Sequence, residues 1–259
     1  MTKRFPALTP INTKRDLTLL RLKKGQLLAV SCDAAGGIGS KPHDIVRVHP
    51  RIVGKMTARV ALMELLSIGA EPISLAGTLC VEPEPTGNQL IRGVLDEVRY
   101  AGLRNLQFLW SSEKNVRVNQ TGIGVTAVGL VSSSTLKIGR CRTRDVIVAI
   151  GEPHAGLEVL DGEKNRKLAD TRDVCKIRKE TFVHEMIPVG FHGIYHEAQV
   201  LAKDSRLLVR LEKSPDVDLK KSAGPATVLL CAVTKESLRQ IETVACAKPV
   251  HVIGRLLRG

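Results

Sequence analysis

The stretch DAAGGIGSKPHD, residues 33–44, concentrates residue types that handle anions and cations together. Gly36, Gly37 and Gly39 allow backbone conformations and close approaches that a Cβ forbids. Backbone N–H groups in such a loop can cradle an anion, and Lys41 adds a fixed positive charge. Asp33 follows the apolar run QLLAVS at 26–31, so it stands at the end of an expected strand. A carboxylate placed there suits Mg²⁺, which takes carboxylate and phosphate oxygens. The loop is not a Walker A motif, because Gly39 is followed by Ser40-Lys41-Pro42 and Pro42 opposes a continuing helix. It is not a dinucleotide fingerprint either, since the third glycine is missing. From the residues alone, an anion-binding loop and an ordinary tight turn are equally good readings.

Three other clusters carry chemistry. Glu64 sits within the apolar stretch ALMELLSIG, where a buried carboxylate is costly unless paired or metal-bound; the alternative is a helix-edge glutamate reaching solvent. In Ser112-Glu113-Lys114-Asn115, Glu113 could hold a metal or orient a hydroxyl and Lys114 could meet a phosphate. A solvated hairpin loop has the same composition. His192, His196 and Glu197 lack the H-E-x-x-H order of a zinc hydrolase, and no G-x-S-x-G elbow is present. None of the six cysteines forms a C-x-x-C pair, so zinc spacing is absent, and buried free thiols are expected.

These residues need a scaffold. Helical spacing of Val53, Met56, Val60 and Met63 predicts a helix over 51–69. Strands are expected at 45–48, 72–81 and 105–110, and over the glycine-punctuated run 121–131, where a ligand or another backbone comes close. Thr86 is a candidate N-cap for a helix burying Leu90, Val94 and Val98 and stopped by Gly102. Segment 132–145 is polar and basic and reads as a boundary. Beyond it, strands are expected at 146–150, 226–233 and 250–257, and helices at 193–203 and 235–244; 160–180 has no clear pattern. Strands alternating with helices give an α/β or α+β class.

With 259 residues the chain holds one large domain or two modest ones. No apolar run approaches the ~20 residues of a membrane helix, and residues 1–16 lack the apolar core of a signal peptide. A cytoplasmic location is expected. The net charge of +13 favours anionic partners. With 3% aromatics and dispersed basic clusters, nucleic acid is disfavoured against a small phosphorylated ligand such as a nucleotide.

Several segments follow one family pattern in order: 31–41 running into the glycine loop, Glu64 with Gly69-Ala70-Glu71-Pro72, Ala101-Gly102, the polar loop 111–115, and the Thr/Gly-rich strand 121–129. Over 26–131 the sequence resembles the aminoimidazole ribonucleotide (AIR) synthetase-like superfamily. Ser222-Ala223-Gly224-Pro225 and Ile253-Gly254 extend a weaker match. The short α-ribazole kinase branch is the most similar, through Gly36-Gly37-Ile38-Gly39, Ala61-Leu62-Met63-Glu64, Pro85-Thr86-Gly87 and Ser112-Glu113-Lys114-Asn115 with Gln120-Thr121-Gly122.

The resemblance implies a two-domain fold, divided here as 1–137 and 138–259. It also implies a homodimer in which the N-terminal sheets pair, with ATP in a groove at that interface. The reaction would be in-line transfer of the ATP γ-phosphoryl group to the ribose 5′-hydroxyl of α-ribazole, in salvage of the cobalamin lower ligand. Asp33, Glu64 and Glu113 would carry the chemistry; these and Asp44 would hold Mg²⁺. Gly36, Gly37, Gly39, Lys41, Lys114, Thr121 and Gly122 would meet ATP. Glu82 and Asn115 would read substrate hydroxyls. The chain departs from larger members in having Ala34 for Gly, Glu64 for Asp, and a short second half. Rival readings are another ATP-dependent reaction on this fold, such as thiamine-phosphate phosphorylation, ligation or dehydration, and a non-catalytic nucleotide- or nucleic-acid-binding protein.

Overall fold

A computed structural model describes residues 9–11, 15–246 and 248–259. The rest of the basic N-terminal stretch, 1–8 and 12–14, lies outside the described residues. The first half runs β1 (Thr9–Ile11), β2 (Leu17–Arg21), β3 (Gln26–Gly36), β4 (Ile38–Gly39), β5 (Val46–Arg47), α1 (Pro50–Ser67), β6 (Glu71–Leu79), α2 (Asn88–Tyr100), β7 (Gln107–Ser112) and β8 (Gly122–Ser132). Burial alternates along β8, so one face of its sheet packs and the other stays open. The sheet order is β1-β2-β3-β8-β6-β7. Its backbone pairing carries strand β3 through Asp33 to Gly36, opposite Gly122. The glycine-rich loop therefore begins four residues later than expected, and Asp33 is a strand residue.

Helix α1 is the axis of the molecule. It starts at Pro50, where a missing N–H costs nothing, and the His49 Nδ1 accepts from the Arg51 N–H at 3.2 Å. Every residue from Ala61 to Ser67 is buried, which is how a helix packed on all sides behaves. Against α2 the two backbones nearly touch: a Cβ on Gly54 would lie 2.0 Å from the Leu90 carbonyl oxygen, and one on Gly93 1.9 Å from that of Arg51. Thr86 is not the cap of α2. It sits in the Pro83–Gly87 turn, which has a wide-helix geometry, and its hydroxyl donates to Glu82 at 2.5 Å.

The second half runs β9 (Val146–Ile150), α3 (Glu158–Lys164), α4 (Thr171–Ile177), β10 (Val183–Val189), α5 (Gly193–Asp204), β11 (Leu207–Leu211), β12 (Val228–Val233), α6 (Leu238–Val244) and β13 (Val250–Arg258). Its sheet order is β10-β12-β9-β13-β11. The unplaced segment 160–180 holds α3 and α4, and α4 opens with a reciprocal Asp170–Asp173 capping box. One apolar core runs from Leu19, Leu27 and Val125 through α1 to Met186, Leu229 and Val233, joining the two sheets.

Ion pairs fasten the halves. Arg59 on α1 is buried and binds Glu97 of α2 at 3.1 Å and Glu163 of α3 at 2.8 Å. Thr171 donates to the same Glu97 at 2.7 Å. Arg15, just before β2, donates to the Met186 carbonyl at 2.6 Å, to Asp204 at 3.0 Å and to Glu185. The thiols correct an expectation: Cys231 is buried, but Cys32, Cys80 and Cys246 are exposed, because strand alternation and turn positions turn them outward.

Candidate active site

A cavity of about 920 Å³ opens between the halves. β3 supplies Ser31, Asp33 and Gly36; α1 supplies Ile52, Met56 and Glu64; the second half closes it with Leu160, Phe191 and Pro225. Arg15, fixed to β10 and α5, carries its neighbour Asp16 into the same lining.

Glu64 is 7% exposed, and its Oε2 has no hydrogen-bond partner among the described residues. Burial pushes its carboxyl up to about 8; Arg15 opposes this, while Asp16, Glu197 and Asp33 add to it. Burial likewise raises Asp33 to about 6, against a hydrogen bond from the Ala34 N–H and with help from Asp16. Glu197 on α5 is raised to about 7 by burial and Asp16, with Arg15 opposing. An orphaned buried carboxylate beside other acids, on an open cavity, is the chemistry of a divalent-cation site. Among the described residues no three His, Cys, Asp or Glu side chains converge closely enough to form a complete metal cage. Mg²⁺ suits such a partial set, because it keeps waters and substrate phosphates as its remaining ligands.

The other expected residues gather at one end of the first sheet, next to the cavity. Asp44 is buried, and its carboxylate is spent on the loop: it accepts from the Thr121 N–H and hydroxyl, each at 2.7 Å, and from the Lys41 N–H at 2.8 Å. Burial would raise its pKa, but these bonds and Arg47 hold it below the usual range. The N–H groups of Gly37, His43 and Ile45 also donate to carbonyls within the protein, so they do not form an open anion cradle. The Lys41 ammonium lies 2.5 Å from Glu82. Gly39 fits against Thr121, since a Cβ there would lie 2.3 Å from its hydroxyl.

Glu113, Lys114 and Asn115 follow β7 outside the cavity lining. The half-buried Glu113 caps its own turn, accepting from the Asn115 N–H at 2.7 Å and the Val116 N–H at 3.2 Å. The structure thus brings Asp33, Glu64 and Gly36 together on the cavity, puts Lys41 and Asp44 in the adjoining loop with Glu82 and Thr121 packed against it, and leaves the 113–115 turn apart. Arg15, Asp16 and Glu197 were missed. The charged Arg15-Asp16 pair ahead of an apolar strand is one signal, and Glu197 stands in the His192–Glu197 cluster, which fails the zinc-hydrolase order.

A glycine-loop sheet joined by a central helix to a second α/β layer, with acids on the cavity between them, defines the AIR synthase-like fold. Residues 14–131 match the family model of the AIR synthase related protein, N-terminal domain. No curated protein matches the chain in sequence. Thiamine-monophosphate kinase from Stenotrophomonas maltophilia is similar in structure, with a TM-score of 0.67 at 17% identity over 96% of this chain and 89% of its own. The hydrogenase maturation protein HypE in complex with ATP has a TM-score of 0.64 at 17% identity over 92% of this chain and 79% of its own. AaThiL complexed with AMPPCP and TMP has 0.62 at 15% identity over 95% and 85%. Among the described residues no helix is long and apolar enough to cross a membrane.

Proposed function

We propose that this chain is an ATP- and Mg²⁺-dependent small-molecule kinase whose acceptor is the ribose 5′-hydroxyl of α-ribazole. The observation that carries the reading is the buried Glu64, whose Oε2 has no hydrogen-bond partner among the described residues, facing a cavity that also holds Asp33 and adjoins the glycine loop. The α-ribazole assignment is supported by the sequence motifs around Gly36, Glu64 and Thr121.

Asp33 and Glu64 would hold Mg²⁺, which supplies charge neutralisation between the phosphates of ATP when bound. Lys41 would exchange Glu82 for a phosphate oxygen. Releasing Lys41 frees the Glu82 carboxylate to accept from a substrate hydroxyl. Asp44 and Thr121 keep the loop in shape for both roles. The apolar walls exclude water, which strengthens every charge interaction at the Asp33 end. The chain would work as a homodimer through the open face and edge of the first sheet, where Leu109 on the edge strand β7 is 67% exposed.

The test is incubation with ATP, Mg²⁺ and separate acceptors: α-ribazole, common nucleosides and thiamine monophosphate, read by mass spectrometry. A gain of one phosphate on α-ribazole is expected. ATP binding with no phosphorylated acceptor would remove the kinase reading.

A further inference from the structure

The wall that the second half contributes to the cavity is apolar throughout. Val159 and Leu160, Pro188 and Val189, and Pro225 and Ala226 line it, separated by glycines. The opposing α1 surface presents Ile52, Val53, Met56 and Val60. Among the described lining residues Arg15 is the one cation, and its guanidinium already serves Glu185, Asp204 and the Met186 carbonyl. The other charged lining groups are Asp16, Asp33 and Glu64, all acids. Among the described residues, a phosphomonoester carried into this space would meet carboxylates and hydrocarbon, with no uncommitted lining cation to replace its hydration. The γ-phosphoryl group differs, because it arrives with its metal ion.

At the lip stands Phe191, 78% exposed. Its turn between β10 and α5 is braced. The Ala223 N–H donates to the Gly190 carbonyl at 3.1 Å, and the Tyr195 N–H to that of Leu219 at 2.8 Å. Gly193 holds φ +78°, with a Cβ there 2.9 Å from the Lys221 carbonyl oxygen. His192 meets the Phe191 ring edge-on, with centroids 5.4 Å apart. A large aromatic ring held in water on a braced turn, over an apolar cavity, is placed to cover the ring of a ligand.

Resting on the kinase reading above, we infer that this site takes an unphosphorylated, ring-bearing alcohol as acceptor, with Phe191 covering its ring, and turns away acceptors that already carry a phosphate.

The experiment uses the full chain with α-ribazole, ATP and Mg²⁺, compares wild type with Phe191→Ala and Phe191→Tyr, and adds thiamine or thiamine monophosphate as competitors. Phe191→Ala should raise the KM for α-ribazole roughly 10-fold, as expected for a lost aromatic contact. The KM for ATP should stay unchanged, and Phe191→Tyr should restore the acceptor KM. Thiamine should inhibit better than its monophosphate. An unchanged acceptor KM in Phe191→Ala, a raised ATP KM instead, or thiamine monophosphate as the better inhibitor would each overturn the inference while leaving the kinase reading intact. No turnover of α-ribazole by the wild type would sink that reading, and this inference with it.

Discussion

Lys41 and Glu82, expected to meet two different ligands, meet each other: the ammonium lies 2.5 Å from the carboxylate. The pair ties the glycine loop to the segment after β6. Burial would raise the Glu82 pKa, yet the Lys41 and Thr86 contacts hold it low, so it stays charged and competes with phosphate for the ammonium. Lys41→Met should raise the KM for ATP by about 10-fold or more, the usual effect of losing a charge-assisted bond. Glu82→Gln should not raise it. Steady-state kinetics in ATP decide this; an ATP KM untouched by Lys41→Met would make Lys41 a strut.

The raised carboxyl groups set a pH dependence of stability. In the folded protein Glu64 holds its proton up to about pH 8, against an ordinary value of 4.5. Folded chains therefore carry more protons than unfolded ones across that window, and stability falls as pH rises through it. Asp33 and Glu197, raised to about 6 and 7, add to the fall in its lower part. Thermal melts without metal should show Tm dropping between about pH 4.5 and 8. Glu64→Gln should drop less. Mg²⁺ should recover more Tm at the alkaline end, because it binds ionised carboxylates. A wild-type Tm as flat as that of Glu64→Gln would contradict the buried-acid account.

Arg59 is buried between Glu97 and Glu163. Among the described residues, removing it leaves the fully buried Glu97 side chain with only Thr171 as a partner. Breaking a buried pair from one side costs about 3–5 kcal/mol. In a chain of this size that lowers Tm by on the order of 10 °C. Arg59→Met should show that loss by calorimetry, whereas Arg99→Met, which removes an exposed pair to Asp96, should be close to neutral. Equal melting of the two variants would refute the claim that Arg59 fastens the halves.

Dimer formation through the first sheet predicts a solution mass of twice 28.2 kDa. Leu109→Glu should shift light scattering to the monomer without changing far-UV circular dichroism. A wild type that is monomeric at micromolar concentration would remove the dimer.

Much of the first half was legible in the sequence. α1, β6, α2 and β8 lie close to where periodicity and glycines put them, because each has one apolar stripe and a clear stop. Three features escaped for physical reasons. β10 reads VHEMIPV, and its charged residues hide a wholly buried strand; they are buried because His184 pairs with Asp145 and Glu185 with Arg15. Asp33 and Glu64 were legible as acids in apolar surroundings. Their companion Asp16 was not, since it reaches the cavity only through Arg15, whose partners lie far along the chain. The family resemblance makes Asp44 a metal ligand. What decides its role is Thr121, 77 residues away, which no local pattern announces.

The central claim is that phosphoryl transfer occurs at the Asp33 end of the cavity. The most direct measurement follows α-ribazole phosphate by mass spectrometry in parallel reactions of wild type and Asp33→Asn with ATP and Mg²⁺. Circular dichroism on both would show that the fold is intact. Phosphorylated product from the wild type, with little or none from the variant, is the expected result. Equal turnover by Asp33→Asn would take the chemistry away from this cavity.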